Sequence, residues 1–436
     1  MTDSLSANCM IGYVRYVRRV IDGELDELFG QVPAIAIDGP KAVGKTTTAE
    51  QRVVGVMRLD AKPNYEAVRA DPGLLVTRPR PLLIDEWQKV PEVWDVVRRA
   101  VDDDPSGGQF LLAGSASPRH GATAHSGAGR IGRLRMRPMT LSERGIASPT
   151  IILGELLTGR RLPLDGATQI RLADYTHEIV ASGFPGMRSL GARALKFQLD
   201  SYLRNAVDRD VPEQGLAVRK PDAMLAWLRA YAAATSTTAS YTAVLDAATA
   251  GVSDKPARST SIAYRDVLSQ LWLLDPVPAW GPAANPLARL AQSPKHHLAD
   301  PALAARLLGL SVDTLLGGEG KPIGPQAGGM LGHLFESLVT LCVRVAAQAA
   351  EATVGHLRTR NGDHEVDLVV VRDDGRVLAI EVKLAATVDD RDTAHLRWLA
   401  EHLRADLLDA IIINTGPNAY RRPDGIGVVP LALLGP

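Results

Sequence analysis

Apolar runs punctuate the first third of the chain at strand-like spacing. Ala34-Ile-Ala-Ile37, Val53–Asp60, Pro81-Leu-Leu-Ile84 and Gln109-Phe-Leu-Leu-Ala113 read as strands, with helix-like stretches between them. Arg130-Ile-Gly-Arg133-Leu-Arg135-Met-Arg137 alternates apolar and basic residues and predicts one more strand. Strands alternating with helices predict an α/β domain built on a parallel sheet. Before it lies an N-terminal arm, mixed apolar and basic over Met10–Asp22, then a short helix over Gly23–Phe29.

From Leu195 the period becomes helical, over Leu195–Asp208 and then Pro221–Thr235. Residues 236–275 read as helix, turn, helix, with Ser259–Leu268 as the second helix and Leu271–Val277 as an apolar strand after it. That order suits a winged helix, whose second helix can enter a DNA major groove. Residues 316–329 carry many Gly and Pro and mark a linker. An amphipathic helix then runs from Gly332 to about Ala350. Strands follow at Glu365–Val371 and Val377–Leu384, separated by a turn at Asp373-Asp-Gly375. A helix over Thr393–Leu407 and a strand over Ala410–Asn414 close the pattern. The expected division is 1–30 as the arm, 31–150 as the α/β domain, 151–315 as a mainly helical, winged-helix-like middle, and 325–436 as a second α/β domain.

Composition adds bounds rather than identity. The chain has 436 residues, 46% hydrophobic and 22% charged, with zero formal net charge, enough for several cores and without a global charge that favours nucleic acid or anionic lipid. Cys9 and Cys342 stand far apart, which suits a reducing compartment. The N-terminus lacks a secretory pattern, and no run reaches the roughly twenty apolar residues of a membrane helix. The expectation is a cytoplasmic protein without a membrane partner. Residues 188–290 hold twelve Lys/Arg against nine Asp/Glu, a weak basic excess for a DNA reader.

Chemistry enters at Gly39-Pro40-Lys41-Ala42-Val43-Gly44-Lys45-Thr46-Thr47, a strand–loop–helix passage with the spacing G-x-x-x-x-G-K-[ST]. Backbone N–H groups of such a P-loop cradle phosphate oxygens. Lys45 would reach the β- and γ-phosphates of ATP, and the Thr46 hydroxyl would sit on Mg²⁺. About forty residues later a strand ends in Asp85-Glu86, suiting Asp85 for the Mg²⁺ shell and Glu86 for polarising the attacking water. Trp87 and Trp94 read as packing residues. Ser115 ends the next strand, where it could sense the γ-phosphate or simply form a turn. Arg130 is the candidate arginine for transition-state charge, in the same or a neighbouring subunit; a solvated basic strand face is the competing reading. Tyr16 or Arg18 could stack on the adenine from the arm. The adjacent His296 and His297 suggest metal only weakly.

A second constellation lies in the last domain. On alternating strand faces, Asp367 opposes Val366 and Leu368, while Glu381 and Lys383 point together away from Ile380 and Val382. If these strands pair as a hairpin, Asp367, Glu381 and Lys383 converge, and Glu336 from the preceding helix could complete a metal shell. The helix–three-strand–helix–strand plan with D…E-x-K is the signature of restriction-endonuclease-like nucleases. Residues 325–436 hold eleven Lys/Arg against fifteen Asp/Glu, which counts against a tight duplex-binding surface.

The whole chain resembles the prokaryotic AAA-like P-loop ATPases that carry a C-terminal domain of uncharacterised function. The residues that carry the resemblance are Gly39–Thr46, Leu83-Ile-Asp-Glu-Trp-Gln88, Leu112-Ala-Gly-Ser115, Gly129-Arg130 and Pro138-Met-Thr-Leu-Ser-Glu143, then Gly183-Phe-Pro, Arg209-Asp210, Lys295-His-His-Leu-Ala-Asp-Pro301, Phe335-Glu336, Glu365-Val-Asp367 and Glu381-Val-Lys383. Two features depart from it: Ala-Gly-Ser where many relatives have Thr-Gly-Ser, and a loop at 117–129 rich in small residues. The resemblance implies an ATPase core with ATP and Mg²⁺, a winged-helix-like middle and a nuclease-like C-terminal region. It leaves open DNA or RNA, a cognate antitoxin or inhibitor protein in a mobile-element, toxin–antitoxin or defence setting, and a homo-oligomer. Three functions follow: an ATPase whose nucleotide state controls a nuclease-like, nucleic-acid-directed domain; an ATP-regulated metal-dependent nuclease; or a nucleotide-binding scaffold with an inactive nuclease-like domain.

Overall fold

A computed structural model describes residues 16–116, 127–146, 148–250, 257–281, 293–317, 327–359 and 362–436. The expected N-terminal tail before Tyr16, most of the loop at 117–129 and most of the linker at 316–329 lie outside the described residues.

Helix α1 (Ile21–Leu28) leads to β1 (Ala34–Asp38), α2 (Lys45–Glu50), β2 (Gly55–Arg58), α3 (Lys62–Ala70), β3 (Leu82–Asp85), α4 (Glu92–Asp103), β4 (Phe110–Gly114) and β5 (Ile131–Arg135). The five strands form one parallel sheet in the order β2-β3-β4-β1-β5. Both faces of β1 are covered, which is why its sequence is apolar at every position before Asp38. Ile35 and Ile37 join the large central core with α1 and α2, while Ala34 and Ala36 face Val93, Trp94 and Val97 of α4. Trp87 and Trp94 pack beneath the sheet as expected, with ring centroids 4.7 Å apart.

A short strand β6 (Ile151–Ile152) and α5 (Leu153–Leu156) open the connector. The middle of the chain is helical, with α6 (Leu172–Ala181), α7 (Ala192–Asn205), a π-helical turn at Ala206–Asp210, α8 (Val211–Glu213), α9 (Pro221–Ala233), α10 (Tyr241–Ala248), α11 (Arg258–Gln270), α12 (Pro301–Leu307) and α13 (Val312–Gly317). The expected strand over Leu271–Val277 is reduced to single bridges. Leu274 pairs with Leu298 and Val277 with Lys295, antiparallel, forming a narrow ribbon.

Helix α14 (Ala327–Ala349) carries the chain into a six-stranded mixed sheet of order β11-β12-β10-β9-β8-β7. Its strands are β7 (Thr353–Arg358), β8 (Glu365–Val371), β9 (Val377–Val382), β10 (Leu407–Asn414), β11 (Tyr420–Arg421) and β12 (Gly427–Pro430), with α15 (Ala394–Leu403) before β10. Leu368, Val370, Leu378 and Ile380 pack with α14, and Val369, Ala379 and Ile412 pack with Leu396 and Leu399 of α15. The ribbon continues to this sheet, where Ala279 bridges to His356 in β7. The last strand, β13 (Leu434–Gly435), pairs with β6.

Gly329–Ala349 is long and apolar enough, by length and composition, to cross a membrane, and 67% of its window is buried inside the protein. His333, Glu336 and Arg344 interrupt the run in sequence, which hides its apolar average.

Candidate functional site

The chain leaves β1 directly into the P-loop. The loop passes so close to the segment after β5 that a Cβ on Gly39 would collide with the Met136 carbonyl oxygen. Gly44 has a φ of +108°, a conformation that a side chain disfavours, and it caps α2. Ala42 also takes a left-handed conformation. Val43 is buried and its carbonyl accepts from Arg19 Nη1 at 3.0 Å.

Lys45 is buried and folded back on its own loop, its Nζ donating to the Gly39 and Pro40 carbonyls, each at 2.8 Å. Burial lowers its pKa to about 8, with Glu86 and Asp85 opposing the shift. Thr46 Oγ1 donates to Asp85 at 3.0 and 3.1 Å to the two carboxylate oxygens. Burial raises the Asp85 pKa, and the hydroxyl of Thr46 partly offsets it. A hydroxyl and a carboxylate offer the all-oxygen donors that Mg²⁺ takes, so these residues fit that ion.

Glu86 follows in a left-handed conformation, φ +53°, uncommon for a residue with a side chain. Its carboxylate accepts from Gln88 Nε2 at 2.5 Å and from Ser115 Oγ at 3.1 Å. Ser115 therefore meets Glu86. Gln88, whose place in the sequence pattern implies no role, is the second anchor.

Arg130 sits elsewhere. Ile131 is in register with Ala34 and Arg135 with Asp38 in a parallel pair. Arg130 therefore lies at the amino end of the sheet, about five residues or ~16 Å of strand from the P-loop end. It pairs with Asp102 at 2.8 Å on an exposed surface. Within one chain it does not reach the phosphate cradle. The arginines at the correct end are Arg133, which pairs with Asp38 at 2.7 Å, and Arg135, whose guanidinium stacks over Trp272 at 3.8 Å. Burial lowers the Arg135 pKa to about 9, partly offset by Asp275. Alternation alone could not separate these residues from Arg130, because it does not give the register.

Tyr16 and Arg18, the arm residues expected at the adenine, both have side-chain partners within the N-terminal part. Tyr16 donates to Asp22 and Thr48, at 2.5 and 3.1 Å, and Arg18 pairs with Asp26. Arg19 is the buried member: its Nε meets Glu143 at 2.9 Å and its Nη2 the Arg137 carbonyl at 2.8 Å. Glu143 also accepts from the backbone of Val20 and Thr140.

The middle helices close one side of the loop. Lys41 Nζ meets Asp210 Oδ1 at 2.5 Å, and the Tyr202 hydroxyl donates to the Lys41 carbonyl at 3.3 Å. A cleft of about 600 Å³ opens beside them, lined by Lys41, Tyr65, Gln88, Ser115, Asp210 and Leu271 among others.

In the C-terminal domain, β8 and β9 pair antiparallel with Leu368 opposite Ile380, which brings Asp367 and Glu381 together as the alternation implied. Asp367 accepts from the Val382 N–H at 2.9 Å, and Lys383 donates to Glu381 at 3.0 Å. Glu336 joins them from α14, but the centre of the group is taken. Lys295 Nζ lies 2.9 Å from Glu336, 2.9 Å from Asp367 and 3.3 Å from Glu365. As arranged, these residues do not fit a divalent ion. Burial pushes Glu336 and Glu381 up to about 8, with the Asp367 charge adding to it. Burial would raise Asp367 as well, but Lys295 holds it below the usual carboxylate range. Burial would lower Lys295, and the carboxylates around it raise it instead.

The histidines after Lys295 are core residues. His296 Nε2 meets the Ala239 carbonyl at 2.7 Å, and burial lowers the pKa of both His296 and His297. Among the described residues, no three His, Cys, Asp or Glu side chains are arranged to hold a metal.

Residues 31–144 match the model of a family described as an AAA domain. Residues 172–314 and 331–434 match two families, each described as a domain of unknown function (DUF8612 and DUF4143). Over 427 residues the chain is 26% identical to an uncharacterized protein of Mycobacterium bovis, Mb2031c, covering 95% of this chain and 83% of that one. The same figures hold for Rv2008c, an uncharacterized protein of Mycobacterium tuberculosis. Among solved structures, the Aeropyrum pernix ORC2 protein in its ADPNP–ADP complexes is 17% identical with a TM-score of 0.30, over 69% of this chain and 96% of that one. A mutant of Thermotoga maritima RuvB is 17% identical with a TM-score of 0.25, over 59% and 88%. With the loop geometry, the family match makes the N-terminal part an AAA-type P-loop domain.

Proposed function

We propose that the chain is a Mg²⁺-dependent ATPase whose nucleotide state acts on its middle and C-terminal domains. The observation that carries this is the Thr46–Asp85 hydrogen bond, which joins two positions 39 residues apart beside the buried Lys45. Thr46 and Asp85 would hold Mg²⁺, which when bound supplies charge next to the β- and γ-phosphates. Residues 39–47 wrap the phosphates, and Lys45 exchanges its two carbonyl partners for phosphate oxygens. Glu86 orients the attacking water and accepts its proton, while Gln88 and Ser115 hold the Glu86 carboxylate in place. Arg130 contributes only from a neighbouring chain, which makes a homo-oligomer part of this reading.

The division into 31–150, 151–315 and 325–436 belongs to the same proposal. The middle is read as winged-helix-like on α10, α11 and the ribbon after them. The last domain is read as restriction-endonuclease-like on its strand plan and on the meeting of Glu336, Asp367, Glu381 and Lys383. Nucleic acid and a cognate inhibitor protein are the partners that such domains would suit, in the cytoplasm. Lys295 within the acidic group favours the reading in which this domain docks rather than cuts.

The test is phosphate release from ATP with Mg²⁺, comparing wild type with Lys45→Ala and Asp85→Asn. Loss of turnover in both variants, with the fold retained, supports the assignment. Turnover unchanged in Lys45→Ala overturns it.

A further inference from the structure

We propose that Lys295 is the resident cation of the C-terminal acidic group, and that its removal opens a divalent-cation site built by Glu336, Asp367 and Glu381. This does not rest on the ATPase reading.

The geometry is that of an occupied site. Three carboxylates converge on one ammonium that is only 1% exposed. They come from α14, from the start of β8 and from its third residue, so the convergence of helix and strand is a tertiary feature. Like charges this close in a protein interior repel unless a cation sits among them. Lys295 is delivered as a fixed group, because its backbone pairs with Val277 in both directions at 2.9 Å. His296 and His297 beside it are buried and carry no compensating charge.

A second observation points to a cation larger in charge than the one present. Glu381 is 5% exposed, and its Oε2 is buried with no hydrogen-bond partner. Its other oxygen is satisfied by Lys383 at 3.0 Å. An orphaned carboxylate oxygen at this depth is costly. Lys295 does not reach it; an ion binding Asp367 and Glu381 together would. A hard divalent ion needs carboxylate oxygens at about 2.0–2.6 Å. It cannot share Asp367 and Glu336 with an ammonium already 2.9 Å from each. Lysine and metal therefore compete for the same two carboxylates, Asp367 and Glu336.

The experiment is Mn²⁺ binding to the nucleotide-free full-length chain, read as the loss of the free Mn²⁺ resonance signal. The proteins are wild type, Lys295→Ala, Lys295→Arg and Asp367→Asn, with the double variant Lys295→Ala/Asp367→Asn. Lys295→Ala is expected to gain one Mn²⁺ equivalent over wild type, lost again in the double variant, while Lys295→Arg gains none. A folded Lys295→Ala that gains no Asp367-dependent Mn²⁺ overturns the proposal. Should Lys295→Ala fail to fold, wild type against Asp367→Asn decides. Identical isotherms support the lysine as occupant, and an Asp367-dependent site in wild type overturns it. Because no nucleotide is present, neither result depends on ATP turnover.

Discussion

The ammonium of Lys41, inside the P-loop, stands 2.5 Å from the carboxylate of Asp210, at the end of a π-helical turn 169 residues later. If ATP binds as proposed, Asp210 would compete with phosphate for a cation of the loop. Lys41 is 38% exposed, so the pair contributes little to stability, about 0–1 kcal/mol after screening. Asp210→Ala is expected to lower the KM for ATP by roughly 2–5-fold with little change in Tm. The effect should shrink at high salt, because exposed charges are screened. Steady-state kinetics at two ionic strengths measures it; an unchanged KM would mean that ATP does not approach Lys41.

Glu86 and Ser115 make a second pair with a distinct signature. Glu86→Gln is expected to reduce kcat by about 10²–10⁴-fold while ATP still binds. Ser115→Ala should reduce it less, since Ser115 acts by holding Glu86. The double variant should then be no slower than Glu86→Gln alone, because the two residues work as one unit. Additive losses in a double-mutant cycle would give Ser115 a separate role.

His356 makes stability depend on pH. It is 1% exposed and its Nε2 meets the Ser293 carbonyl at 3.2 Å. Burial lowers its pKa to about 4, with the Lys295 charge adding to the shift and Glu365 and Asp367 opposing it. The unfolded chain binds this proton below about 6.5 and the folded chain only near 4. Stability is therefore lost as pH falls through that window, by roughly 3 kcal/mol at its end. His356→Gln should flatten this part of the stability curve in urea unfolding at pH 7 and pH 5.

The core beneath the sheet predicts a plain packing cost. Trp87 is fully buried against Trp94. Trp87→Ala should cost about 3–5 kcal/mol and lower Tm accordingly. Gly39→Ala should instead spare much of the core yet weaken nucleotide binding, because the added Cβ displaces the loop from the Met136 carbonyl. Calorimetry and a fluorescent-nucleotide titration separate the two effects.

Much of this architecture was legible in the residues because the strand centres are continuous apolar runs, as in Leu82–Ile84 and Ala410–Ile413, although the last strand begins at Leu407, within the stretch expected to be helix. The strand–loop–helix spacing of Gly39–Thr46 was equally plain. Alternation along 365–371 and 377–384 correctly set Asp367 and Glu381 on one side of their strands. What depends on register was not readable, so Arg130 stood out while Arg135, in line with Asp38, did not. Short pairings such as Ile151–Ile152 with Leu434–Gly435 carry too few residues to signal themselves. Lys295 was hidden for a different reason. It lies 41 and 72 residues from Glu336 and Asp367, and its place in the sequence gives no sign that the folded chain brings it to them.

The ribbon formed by residues 274–277 and 295–298 joins two sets of charges. At one end Asp275 meets Arg137 at 2.8 Å and Arg344 at 3.1 Å, just after the strand beside the P-loop. Two residues along, Val277 pairs with Lys295, whose ammonium serves the carboxylates of the last domain. Mechanically the ribbon is a strut pinned by ion pairs at both ends. A tilt of either neighbouring sheet must bend the strut, carry the other sheet with it, or pull a charge out of its partners.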